Sequence, residues 1–145
     1  MNAEEFLLQV EKIDTIIKNK LIEKEQWLDI AQSISPPGFD EKVQSSPNPD
    51  RMANAIYKVV DIENEIDTYI DLLYETKKDV LSVIESLKTS EYEVLHNVYI
   101  QFRSYKETAE VLSRSYTWVT TTHSTALKNV QSILDRRGNY ADYNK

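Results

Sequence analysis

The chain contains no cysteine, which excludes a disulfide framework and any thiolate metal site. Glycine is nearly absent, with two in 145 residues, and all four prolines fall between residues 34 and 49. Tight hairpin turns draw on Gly, Asn-Gly or Pro at fixed places. A β-architecture therefore has little to work with, and an all-α fold is expected. No apolar run approaches the ~20 residues of a membrane span. The start, MNAEEFLLQVEK, lacks the basic-then-apolar pattern of a secretory leader. A soluble protein with no membrane partner is expected. Catalytic equipment is also scarce: two histidines, no Gly-rich phosphate loop, no nucleophile beside a base, no carboxylate pair in an apolar setting. Neither an enzyme nor a metal site, cofactor or small-molecule substrate is expected.

Positive charge is scarce where it first matters. Residues 1–89 hold 10 Lys+Arg against 18 Asp+Glu, a balance of −8, whereas residues 90–145 hold 7 against 6, a balance of +1. Only the C-terminal part can approach phosphates without strong repulsion.

Periodicity organises the rest. In residues 3–33, Phe6, Val10, Ile13, Ile17, Leu21, Leu28 and Ala31 recur at helical intervals, with Lys24 interrupting them. A lysine stem can lie along such a seam while its ammonium stays in water. Asn2 and Glu5 have capping-box spacing. Residues 34–49, ISPPGFDEKVQSSPNP, read as a long connecting loop. A second helix opens at Asn48, Pro49 and Asp50. Met52, Ile56, Val59, Glu63, Ile66, Ile70, Leu73, Lys77, Val80, Ile84 and Leu87 alternate spacings of four and three along it. That is a coiled-coil period, and it predicts a long antiparallel hairpin over residues 1–89. Tyr57, Ile62, Tyr69, Leu72 and Tyr74 fall off this seam, and the apolar surface they would leave points to a homodimer.

A third helix is expected from Ser90 and Glu93, a box of the same form, through Tyr92, Leu95, Val98, Tyr99 and Phe102. Ser104 and Glu107 repeat the box. A turn near Ser113 and Arg114 follows, and Ser115 caps a helix expected to run to about Leu134, with residues 136–145 as a frayed tail. Two helices joined so tightly have the form of a helix-turn-helix. Ala109 is small enough for a close crossing, Leu112 fills the pocket, and Val119 locks the second helix onto both.

The run SEYEVLHNVYIQFRSYKETAEVLSRSYTWVTTTHSTALKNVQSIL, residues 90–134, resembles region four of bacterial sigma factors, the module that binds promoter DNA. Val94, Leu95, Ser104, Tyr105, Ala109, Leu112, Ser115, Val119, Ala126 and Val130 carry the likeness. With KVQSSPNPDRMANAIYKVVDIENEID at 42–67, the whole is similar to small phage-encoded, sigma-like transcriptional regulators of Gram-positive hosts. Thr108, Ser113, Arg114 and His123 stand where that pattern usually has apolar residues or Gly. The resemblance implies a cytoplasmic DNA-binding regulator in a bacterial host, a long helical hairpin followed by a helix-turn-helix unit at 90–135, and double-stranded DNA and host RNA polymerase as partners.

On that reading Tyr116, Thr117, Thr120, Thr121 and Ser124 face the major groove, where hydroxyls serve phosphates or base edges and Thr methyls touch thymine. Arg103, Lys106, Arg114 and Lys128 are the candidate phosphate partners. Trp118 is expected to pack beneath the turn and His123 to be a hydrogen-bonded core residue. Two other functions suit the same residues: a protein-interaction module without DNA binding, and a phage packaging adaptor resembling a small terminase subunit.

Overall fold

The computed structural model describes residues 1–33 and 49–143. Among these, every regular element is helical: α1 (Ala3–Ala31), α2 (Pro49–Ile84), α3 (Thr89–Leu95), a π-helical turn (His96–Ile100), α4 (Tyr105–Leu112) and α5 (Tyr116–Tyr143). The expected loop over residues 34–48, and Asn48 as a cap, lie outside the described residues. Two compact units emerge, Asp14–Leu72 and, separately, Met1–Ile13 with Leu73–Lys145. This division differs from the expected boundary at residue 89.

In the Asp14–Leu72 unit, Lys20 Nζ lies 2.6 Å from Glu65 and Lys24 Nζ 3.1 Å from Glu63, and the Lys58 ammonium stands 5.9 Å from the centre of the Trp27 ring. Partners on α2 descend as those on α1 ascend, so the two helices run antiparallel here. Solvent screens these pairs, so they add little to stability. Their value lies more in fixing register. Lys20 and Lys24 take seam positions, each with its side chain less than a third exposed, as expected for Lys24.

In this unit the expected seam needs correction at Ile56, Glu63 and Ile70. The buried α2 residues in this unit are Ala55, Val59, Ile62 and Ile66, whereas Ile56 and Ile70 are 52% and 48% exposed. Moving the alternate positions back by one residue rotates them about 100°. Ile62 then replaces Glu63, so no charged residue of α2 sits in this part of the seam. Ile62 is accordingly a seam residue, not part of an uncovered second stripe. On α1, Leu21 is likewise exposed.

The other unit holds the main core: Ala3, Phe6, Leu7 and Val10 pack with Val80, Val83, Ile84, Leu95, Tyr99, Ala126 and Val130. The apolar start of α1 is why residues 1–13 belong with the C-terminal part. Asn2 Oδ1 accepts from the Glu5 N–H at 2.8 Å while Glu5 accepts from the Asn2 N–H at 3.2 Å, and the Ala3 N–H donates to Gln131 Oε1 at 2.8 Å. The expected box at Ser90 and Glu93 does not form. α3 begins at Thr89, with Lys88 as N-cap and no side-chain cap. Starting there puts Glu91 in the first turn, where its buried carboxylate accepts from the Asn129 amide on α5 and meets the positive end of the helix.

Nor does the third helix continue to Phe102. After Leu95 the backbone widens into the π turn, with the Gln101 N–H bonded to the His96 carbonyl at 3.0 Å, and Phe102 takes φ 57°. Buried Asn97 holds this exit: its carbonyl accepts from the Arg103 N–H at 2.9 Å and its Oδ1 from the Arg103 guanidinium. At the other end, α5 runs past Leu134 to Tyr143, so most of the expected frayed tail is helical.

Candidate nucleic-acid interface

α4 and α5 are joined by only three residues, and each junction has a local cause. Ser104 Oγ accepts from the Glu107 N–H at 3.1 Å, and Glu107 reciprocates to the Ser104 N–H. α4 ends at Ser113, whose φ of 55° lies in the left-handed region, and the Arg114 N–H closes back on the Ala109 carbonyl at 2.9 Å. Ser115 Oγ then accepts from the Trp118 N–H at 3.0 Å and starts α5. Left-handed backbone strains any residue with a Cβ by about 1 kcal/mol. Ser113→Gly is therefore expected to raise stability by up to ~1 kcal/mol, since the greater freedom of an unfolded glycine offsets part of the relief. Urea unfolding measures it.

Beneath the turn, Val94, Ala109 and Val119 form a small core, with Val98, Tyr105, Leu112 and Trp118 packed against it. Ala109, Leu112 and Val119 thus pack together beneath the turn. Trp118 packs here as expected, and the Arg114 guanidinium lies 4.7 Å from the centre of its ring. The Thr108 hydroxyl is fully buried and has no hydrogen-bond partner among the described residues. Apolar side chains suit that position better.

Along α5 the buried residues Val119, His123, Ala126 and Val130 recur at four, three and four. Thr117, Thr121, Ser124 and Lys128 follow the same rhythm two residues earlier, about 200° around the helix, and all four are exposed. They form one outward stripe. Thr120 and Tyr116 sit on its flanks. Thr120 is partly covered, and its hydroxyl donates to the Thr117 carbonyl at 3.1 Å, so it is less available than its neighbours. Tyr116 is exposed, its ring edge-on to Tyr105 with centroids 6.3 Å apart.

Of the expected phosphate partners, Lys106, Arg114 and Lys128 are exposed. Arg103 is half-buried and bound to Asn97. Sequence reading missed that role because the pairing depends on the π turn, which no periodicity announces.

His123 is buried, its Nε2 2.7 Å from the Tyr99 hydroxyl, with the Tyr99 ring stacked on it and the Tyr105 ring tilted against it. Burial lowers its pKa below the usual 6.5, against a smaller upward pull from Glu4. The same cause raises the pKa of Tyr99, so both groups are neutral near neutral pH. With the imidazole proton on Nδ1, Nε2 accepts from the phenol. The unfolded chain binds a proton at higher pH than the folded one, so stability is expected to fall as pH drops below 6.5 toward the lowered folded value. His96 shifts the same way, through burial and the Lys77 ammonium. Chemical melts across this range should show His123→Gln with a shallower but nonzero slope.

Among the described residues no cluster of His, Asp and Glu is arranged to hold a metal ion, and no helix is long and apolar enough to cross a membrane. Comparison of the chain with family models, with curated proteins and with solved structures gives no match.

Proposed function

We propose that this chain is a DNA-binding transcriptional regulator in which a long helical hairpin precedes a sigma-region-four-like helix-turn-helix. α5 lies in the major groove, which admits one helix, and the stripe of Thr117, Thr121, Ser124 and Lys128, flanked by Tyr116, faces the bases. The observation that carries this reading is the pairing of that stripe with the buried one opposite. A surface that only needed helical stability would have little use for β-branched Thr117 and Thr121. Here polar, methyl-bearing side chains project together from the first turns of a helix whose start is fixed by a cap and a three-residue turn.

Lys106, Arg114 and Lys128 supply the phosphate contacts. They are few, so affinity for one duplex is modest and strongly lowered by salt. The acidic residues 1–89 stay off the DNA and are free for a protein partner, RNA polymerase or a second copy. The test is a selection from random-sequence duplexes, followed by salt titration of binding to the selected and to random sites. A regulator binds the selected site about 10³-fold or more tightly. Equal affinities for both would leave charge attraction alone, and no binding would leave the interaction-module reading.

A further inference from the structure

Two exposed surfaces have no place in DNA reading, and their chemistry is complementary. The first lies on α2 in the Asp14–Leu72 unit. Ile56, Val60, Glu63, Asp67, Ile70 and Asp71 share one flank of the helix, about 120° from the buried seam, and all six are exposed. Glu63 pairs with Lys24, whereas Asp67 and Asp71 have no ion-pair partner among the described residues. Residues 14–72 hold 6 Lys+Arg against 12 Asp+Glu, a balance of −6. This flank is apolar and acidic.

The second surface is an open groove of about 820 Å³ in the other unit, between the start of α3 and the later part of α5. Half-buried Leu87 and Ile133 form its apolar wall, and Lys88, Arg136 and Arg137 its cationic rim. Arg137 is already paired with Asp79 at 2.9 Å, while Lys88 and Arg136 are exposed. The one carboxylate in the lining, Glu91, is buried and bound to Asn129.

We propose that copies of this chain associate head to tail, the acidic-apolar flank of α2 in one copy seating in the basic-apolar groove of the next. Ile70 and its aliphatic neighbours cover Leu87 and Ile133, and Asp67 and Asp71 meet Lys88 and Arg136. Packing the α2 flank against itself in a two-fold dimer would bring its own carboxylates face to face, which opposes association. The head-to-tail contact joins two different patches, so a copy engaged through one can engage a further copy through the other. Along α5, Thr121 and Ile133 are ~18 Å apart, which leaves the first turns of the outward stripe open while the groove is filled. The association does not depend on the proposed DNA binding, and it can be tested in the absence of DNA.

The experiment is sedimentation velocity of the full chain over a concentration series at low and high salt, with two charge-reversed variants, Asp67→Lys with Asp71→Lys and Lys88→Glu with Arg136→Glu. All four residues are exposed, and thermal melts check that folding is retained. The wild type is expected to sediment faster continuously with concentration, more so at low salt. Each variant alone is expected to stay monomeric. An equimolar mixture of the two should associate again, because each supplies the surface the other lacks. The control Glu25→Lys with Asp29→Lys makes the same charge change on α1, at two exposed residues outside the ion pairs between α1 and α2, and should leave association in place. A wild type that stays monomeric at high micromolar concentration overturns the proposal. So does a closed dimer that survives both reversals, a mixture that fails to associate, or a control that is as damaging as the Asp67 and Asp71 pair.

Discussion

Ile66→Asp is expected to unfold the Asp14–Leu72 unit, while Ile70→Asp, four residues along the same helix, leaves it folded. Ile66 is 7% exposed and Ile70 48%. A carboxylate at position 66 would be buried without a partner, a loss on the order of 3 to 5 kcal/mol. That is a large part of the stability of a small unit. At position 70 the carboxylate stays in water and the change is within about 0.5 kcal/mol. Circular dichroism melts of the two variants separate the registers. A seam through Ile56, Glu63 and Ile70 would make both substitutions destructive, whereas a seam through Ala55, Ile62 and Ile66 makes only the first so. Equal melting losses would overturn the register described above.

That pair of isoleucines also shows how far the sequence could be read. The heptad rhythm of α2 is visible, because Val59, Ile66, Leu73 and Val80 belong to both possible seams. Which neighbour completes each heptad depends on what the opposing helix presents. On α1 it presents Lys20 and Lys24, whose ammonium groups reach Glu65 and Glu63 at the edge of the contact. A side chain that snorkels counts as polar in any hydrophobic period, so neither lysine marks the seam and the phase of half of it stays hidden in the sequence.

The α4–α5 region was far more legible. Capping chemistry is local: Ser104 with Glu107, and Ser115 with the Trp118 N–H, involve residues three apart and need no tertiary information. Ala109, Leu112 and Val119 follow from the same local frame. The same chemistry misleads at Ser90 and Glu93, where the tertiary contact between Glu91 and Asn129 accompanies a helix start two residues earlier. Phe102 and the π turn were illegible, since a positive φ at a bulky aromatic follows from the closure of Arg103 onto Asn97 and not from propensity. Thr108 and Ser113, which stood out as ill-suited to their positions, are the fully buried hydroxyl and the left-handed residue.

The stripe on α5 sets the largest expected effect on function. Thr121→Ala with Ser124→Ala removes two hydroxyls and one methyl from the centre of the outward face and alters nothing in the buried stripe of Val119, His123, Ala126 and Val130. A base-reading contact is worth ~1 to 3 kcal/mol. The double substitution is thus expected to weaken binding to the selected site by roughly 30-fold or more while binding to random duplexes stays the same. Thr120→Ala should do less, because the Thr120 hydroxyl is turned back onto the Thr117 carbonyl. Lys106→Ala or Lys128→Ala, by contrast, should weaken all duplexes alike and reduce the slope of log affinity against log salt by about one unit. Fluorescence anisotropy with both duplex types over a salt series distinguishes these patterns. Should the Thr121 and Ser124 substitutions leave selected-site affinity intact in a protein that melts like the wild type, the outward stripe is only a solvated surface. The three-residue turn would then serve to present α5 to a protein partner.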